Sequence, residues 1–202
     1  MRHTEPDKYA ARAALTEFMD GWKKGDKEQM LDASLLELTD ELEGGIEGTD
    51  SLLDYMLEIN VVQYEIGEAT DLTEHWENLK QESLNQKELI YYRLLEQGET
   101  EKAEQFRITN NEWLAFYSQC DMAYSFPLKI RFPEMLLALF APEEIELTED
   151  GYMEADPQVV VRYNGEWRVA FGNYLVPTWD EENNEKLEAY REKYGPVEFP
   201  ID

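Results

Sequence analysis

Apolar and polar positions change period several times along the chain, and each change marks an element. Near the N-terminus Ala11, Leu15, Phe18 and Trp22 recur at i, i+4, i+7 and i+11, which is one face of a helix. Thr4 can cap that helix, Pro6 and Asp7 suit its first turn, and Gly25 ends it. Asp26 is placed to cap a second helix, with Gln29 set for a capping box and Leu31, Leu35 and Leu38 on one face. An acidic loop through Gly44, Gly45 and Gly48 follows. Asp50 or Ser51 then starts a short helix carrying Leu52, Met56 and Ile59. From Val61 to Ala69 the period drops to two. Val62, Tyr64 and Ile66 alternate with Gln63 and Glu65, the pattern of a half-buried strand.

Helical composition returns over Asp71–Leu95, with Asn85 as a candidate break. Residues 99–120 fit two patterns. Ala103, Phe106, Asn110, Trp113 and Tyr117 lie on one helical face, whereas Phe106–Ile108, Thr109-Asn110-Asn111 and Trp113–Tyr117 also fit a hairpin. Thr100–Arg107 reads as helix, and periodicity leaves 106–120 open. In Ala123–Phe132, Phe126, Leu128, Ile130 and Phe132 alternate, and Pro127 places that strand at an edge or a bend. Pro133 starts a short apolar helix through Phe140. The strongest local signal is Val159–Phe171, two strands flanking Asn164-Gly165, the dipeptide suited to a two-residue type I′ turn. That turn pairs Arg162 with Trp167, Val160 with Val169 and Val159 with Ala170. Both faces of the hairpin carry apolar residues, so a covered sheet is expected. Thr178 and Glu181 form a capping box for a terminal helix striped by Leu187, Tyr190 and Tyr194 and ended by Gly195-Pro196. The tail from Val197 reads as extended and peripheral.

At 202 residues, with 43% hydrophobic and 12% aromatic content, the chain carries ample apolar surface for one α+β domain. Residues 70–120 read as a helical insertion, and 178–202 as a C-terminal helix and tail. Its 45 acidic residues against 18 basic ones give a formal charge of -27. Such a field repels phosphate backbones and anionic membrane surfaces, so neither nucleic acid nor membrane is expected as a partner. A solvated acidic surface is the plain reading, and a basic protein partner the sharper one. The longest apolar run, Met135–Ala141, falls far short of the roughly 20 residues a membrane helix needs. The N-terminal segment has no apolar signal region, and a lone cysteine, Cys120, allows no intrachain disulfide. A cytoplasmic location is the expectation. Cys120 sits among Phe116, Tyr117 and Tyr124 and reads as a packed small hydrophobe.

Catalytic signatures are sparse. His75, in Thr73-Glu-His-Trp-Glu77, has no second histidine or cysteine at ligand spacing and reads as a surface helical residue, so no metal or other cofactor is expected. The glycines at 44, 45 and 48 lack dinucleotide-binding spacing and sit among acids. What remains is aromatic surface. Phe18, Trp22, Tyr64, Trp113, Tyr124 and Trp167 are candidates to line a pocket, with Arg168 or Arg162 as an anion handle. Core packing is the plainer role for the rings, and a cross-strand cation–π pair for Arg162 and Trp167.

The segment Phe18-Met-Asp-Gly-Trp-Lys-Lys-Gly-Asp-Lys-Glu-Gln-Met30 resembles the opening of nuclear transport factor 2-like (cystatin-like α+β) domains. Their closing hairpin commonly reads like Tyr163-Asn-Gly-Glu-Trp-Arg-Val169. The resemblance covers the front helices and the last hairpin and says little about residues 70–135. It implies a curved antiparallel sheet wrapped around the first helix as a cone with a hydrophobic cavity. Relatives of this kind include ketosteroid isomerase-like and polyketide cyclase-like enzymes and many members without catalysis. No catalytic motif carries over by position; Asp121 and Tyr124 match the isomerase pattern in residue type alone. The expected function is therefore a non-catalytic module for a small apolar ligand or a protein partner, a second copy of the chain included. The rival is a cofactor-independent isomerase, cyclase or hydratase using a buried carboxylate.

Overall fold

In a computed structural model of the chain, which describes residues 5–38, 49–109, 111–134, 147–170 and 182–200, the first apolar stripe becomes helix α1 (Glu5–Lys24). Glu5 and Asp7 in its first turn and Lys23 and Lys24 in its last complement the helix dipole. Its buried face is Ala11, Ala14, Leu15, Phe18, Met19, Gly21 and Trp22. Gly25, at φ +72°, ends it. Helix α2 (Lys27–Asp32) follows at once, its Asp26 carboxylate accepting the Gln29 N–H at 3.1 Å. The Gln29 side chain does not close the capping box; it donates to the Glu17 carbonyl at 2.7 Å. Gly21 lets the two helices close up, since a Cβ there would stand 2.9 Å from Met30 Cγ.

The leucine stripe predicts a longer second helix than the structure has. At Ala33 the chain leaves the helix and runs along β5 (Glu166–Ala170), making an isolated parallel bridge at Ser34. Leu35 N–H donates to Val169 O and Val169 N–H to Ala33 O, both at 2.9 Å. An edge strand's unpaired backbone groups outcompete one more helical turn, and Leu35 and Leu36 are buried by the change of course.

Helix α3 (Thr49–Glu58) precedes strand β1 (Gln63–Ile66), and β2 (Thr70–Asp71), β3 (Cys120–Arg131) and β4 (Met153–Tyr163) complete the sheet with β5. The fold is α+β, with N-terminal helices, a curled antiparallel half-barrel sheet, a helical insertion and a C-terminal helix. Among the described residues the strand order is β1-β3-β4-β5, with β2 also on β3. Pro127 therefore lies in an interior strand, and of the edge or bend expected from its type it is the bend that applies. The reason is local. Ile66 faces Leu128 and Thr70 faces Ser125, so residues 67–69 bulge opposite 126–127. The donor that proline lacks falls beside this break, where Gly67 N–H reaches the Pro127 carbonyl at 2.7 Å.

The hairpin forms in the expected register, with Val159 opposite Ala170, Val160 opposite Val169 and Arg162 opposite Trp167. Asn164 (φ +50°) and Gly165 (φ +84°) take the left-handed conformations a type I′ turn requires. Val160, Val161, Val169 and Ala170 are all buried, as a covered sheet demands. One core joins Leu15, Phe18, Met19 and Trp22 of α1 to Met122, Tyr124, Phe126, Leu128 and Ile130 of β3 and to Val160 and Val169.

The chain divides into two compact units, Met1–Thr73 with Asp121–Gly172 and Glu74–Cys120 with Asn173–Asp202. The second unit is helical, formed by α4 (Thr73–Glu96), α5 (Thr100–Ile108), α6 (Glu112–Gln119) and α7 (Glu182–Tyr194). Helix α4 runs unbroken through Asn85, and Thr100–Ile108 and Glu112–Gln119 are two helices rather than the strands of a hairpin. Cys120 is buried. The tail is not peripheral: Phe199 joins Leu89, Tyr91, Tyr92, Ala103, Leu114 and Leu187 in the unit's core. Arg107 and Asn111 donate to the Glu198 and Pro200 carbonyls. Among the described residues no helix is long and apolar enough to cross a membrane. The expected Thr4 cap, the glycine loop at 44–48, the helix through Phe140, Phe171 and the Thr178–Glu181 capping box lie outside the described residues.

Candidate functional site

Spacing on α1 brings Phe18, Met19 and Trp22 to one wall of a cleft of about 430 Å³ in the first unit. Met56 of α3 adds to it, and Leu128 and Ile130 of β3, with Phe132 just beyond, form a second wall. Met153, Ala155 and the polar Glu154, Asp156 and Gln158 of β4 complete the lining. Trp22 and Phe132 meet edge to face at 6.2 Å between centroids. The indole N–H of Trp22 is held by the Met56 and Ile59 carbonyls, which ties α1 to the end of α3 and fixes the ring's position.

The alternation of β4 shifts along its length. Ala155 and Val160 both pack on the α1 core, although five residues apart in a strictly alternating strand they would face opposite sides. The shift falls around Pro157, and irregularities of this kind re-aim neighbouring side chains. Glu154 and Asp156 are exposed. Lys129 stands 3.6 Å from Glu154, and no ion pair engages Asp156 among the described residues.

The other sequence candidates lie elsewhere. Tyr64 of β1 donates to Asp20 Oδ1 at 2.7 Å, tying β1 to α1. Burial, and then the Asp20 carboxylate, push its phenol well above the usual tyrosine range. Tyr124 is fully buried, with its ring 5.5 Å from Trp167. Burial, and then the Asp71 and Asp7 charges, raise its pKa. Trp113 belongs to the second unit, where it packs on Phe116 and Tyr117. Both arginines considered as anion handles are engaged by the chain's own carboxylates. Arg168 pairs with Glu166 at 2.6 Å. Arg162 grips Asp121 with Nε and Nη2 at 2.7 and 2.6 Å, has Asp7 at 3.4 Å, and lies over the Trp167 ring at 5.8 Å. The expected cation–π pair therefore forms. Arg162 also holds the Asp121 carboxyl below its ordinary range.

Sequence reasoning thus finds Phe18 and Trp22 but misses Met19, Met56, Met153 and Asp156 as lining residues. The alternation of Leu128, Ile130 and Phe132 is a usable signal for the β3 wall. For β4 no period is legible, because acids and Pro157 interrupt the apolar residues.

A second cleft, of about 450 Å³, lies in the second unit beside Tyr91, Glu104, Arg107 and the 194–198 segment. Its Glu104 and Arg107 are matched to each other. Arg107 Nε and Tyr91 OH each donate to Glu104 at 2.9 Å, and Arg107 Nη1 reaches the Glu198 carbonyl at 3.1 Å. The arrangement fastens the tail.

Comparison with protein families, curated proteins and solved structures gives no match.

Proposed function

We propose that the first unit is a non-catalytic binding module of the nuclear transport factor 2-like kind, and that its cleft between α1, α3 and the sheet takes a small apolar molecule. The observation that carries this reading is the cleft's lining, in which aromatic and methionine side chains predominate among the described residues. Its volume falls in the range of small-molecule sites, about 300–1,000 Å³. Met19, Met56 and Met153 supply flexible, polarisable surface that adapts to ligand shape.

Two features favour binding over catalysis. The carboxylates that line the cleft, Glu154 and Asp156, are exposed rather than desolvated, so they lack the burial that tunes a carboxylate into a base. Asp121, matched by residue type to an isomerase base, is clamped by Arg162 with its pKa lowered, away from the near-neutral value general-base work favours. The test is titration with an uncharged apolar fluorophore such as N-phenyl-naphthylamine, read by energy transfer from tryptophan. Saturable binding that Ala155→Phe abolishes in a folded variant supports the reading. Binding that survives cleft filling, or no binding at all, refutes it.

A further inference from the structure

We infer that α4, α5 and Asn111 form a groove for an extended peptide, and that Gly195–Pro200 sits in it as a built-in competitor for a partner protein's segment of the same Val-x-Phe-Pro pattern. The groove lies in the second unit and does not depend on the cleft of the first. From Gly195 to Pro200 the backbone belongs to no helix or strand. Phe199 is buried and Val197 half-buried, whereas Pro196, Glu198 and Pro200 are exposed, the alternation of an extended chain read from one side. Phe199 is the anchor, edge-on to Tyr91 and 5.6 Å from the Lys87 ammonium, and Val197 packs on the same apolar cluster. Side chains meet the segment's carbonyls. Tyr92 OH donates to Gly195 O at 2.8 Å, Arg107 Nη1 to Glu198 O at 3.1 Å and Asn111 Nδ2 to Pro200 O at 2.8 Å. Two of these donors are also held by bonds that do not involve the segment. Glu104 accepts from Arg107 Nε and from Tyr91 OH, and Asn111 Nδ2 also donates to the Arg107 carbonyl at 3.1 Å. The helices thus set their own donors in place, as a built binding site does. Those donors reach main-chain carbonyls that any extended chain offers, and Pro196 and Pro200 have no N–H to leave unmatched. Main-chain capture gives a peptide site its affinity, and a pocket for one aromatic gives it selectivity. A second copy would set another charge of -27 against the first, which favours a different protein as the source of the peptide.

A segment tethered beside its groove acts at an effective concentration on the order of millimolar, so a free peptide competes poorly until the tethered one is weakened. The probe is a fluorescein-labelled peptide of the Gly195–Pro200 sequence, titrated by anisotropy into the parent chain and into Phe199→Ala. The variant, folded by circular dichroism, should bind it at least about tenfold more tightly than the parent. Phe199→Leu, a milder truncation, takes its place if Phe199→Ala does not fold. Adding Arg107→Leu should weaken that binding about three- to tenfold, the loss of one hydrogen bond. A probe with alanine in place of its phenylalanine should not bind. No binding to either folded variant would make the segment an ordinary part of the core and overturn the groove. Equal binding to parent and variant, or binding that ignores the phenylalanine, would place the probe elsewhere and overturn it too. A parent chain that sediments as a dimer, with Phe199→Ala monomeric, would assign the groove to a second copy and overturn the partner proposed here.

Discussion

Arg162 and Asp121 form a two-pronged pair between β4 and β3, Nε to Oδ1 at 2.7 Å and Nη2 to Oδ2 at 2.6 Å. The planar fork of guanidinium and carboxylate gives this pair better geometry than most surface ion pairs. The Asp121 side chain is 59% exposed, so solvent screening limits its contribution to about 0.5–1 kcal/mol. Arg162 lowers the Asp121 pKa. A depressed carboxylate stabilises the fold above its unfolded value, near 3.9, and loses that contribution as pH falls through the folded value. Asp121→Asn should therefore melt below the parent protein at neutral pH. The gap should close on acidification below about pH 4. Thermal melts of both proteins across that range check the sign; a gap that widens in acid would count against the pairing.

Gly67 lies against the Pro127 ring. A Cβ on Gly67 would stand 3.0 Å from Pro127 Cβ and 3.2 Å from Cγ, closer than such atoms comfortably approach. The bulge between β1 and β2 depends on that approach. Gly67→Ala should cost about 1 kcal/mol through overpacking, measurable by urea unfolding. An unchanged midpoint would mean that the two edges part without strain.

Gly165→Val tests the hairpin turn. Gly165 sits at φ +84°, where a β-branched side chain is strained, and no neighbouring atom would meet a new Cβ. The penalty is therefore backbone strain, about 1–3 kcal/mol. A melting temperature equal to the parent's would contradict the turn.

What was legible in the sequence is what local chemistry controls. The α1 stripe is one helix reporting on its own face, and Asn164-Gly165 encodes positive φ directly. Pro127 suits an edge or a bend alike, and no neighbour in sequence chooses between them, because the gap that accommodates it belongs to the β1–β2 bulge, more than fifty residues earlier in the chain. The early end of α2 is set by the backbone of Val169, which no window around Leu35 contains. The cleft draws on four parts of the chain. Its helical and β3 walls carried a period, whereas Met153–Gln158 hid its strand behind acids and a proline. The tail looked peripheral because Val197 and Phe199, spaced by two, match no helical period. Their burial is tertiary.

Phe199 tests that last point. It is 8% exposed and meets Tyr91 edge-on at 6.2 Å between centroids. Lys87 Nζ, itself in a buried residue, lies 5.6 Å from its ring and donates to the Thr109 carbonyl at 2.7 Å. Phe199→Ala should cost about 3–5 kcal/mol, the usual range for a buried aromatic. Amide exchange should accelerate in α4 and α5, which carry most of its partners. Uniform exchange rates with an unchanged midpoint would return the tail to the periphery.

Phe18 tests the architecture of the first unit. It is 1% exposed and sits midway along the buried face of α1, in one core with β3 and the closing hairpin. Truncating it removes the transfer energy of an aromatic ring and leaves a void that the helix and sheet cannot both collapse into, about 3–5 kcal/mol. That is a large part of the roughly 5–15 kcal/mol by which domains are stable. Lys23, one residue beyond Trp22 and exposed, supplies the matched control, and Lys23→Ala should move the denaturation midpoint little. Phe18 also lines the cleft, so its loss should do two things at once. It should lower stability sharply, and in the folded fraction it should weaken binding of an uncharged apolar probe. Leu15→Ala separates the two effects. Leu15 is fully buried in the same core but is not part of the cleft lining, so its truncation should cost about 2–5 kcal/mol while probe affinity per folded molecule holds. If Phe18→Ala and Lys23→Ala prove equally stable, α1 is not the hub of the unit's core, and the cleft loses the wall on which its reading depends.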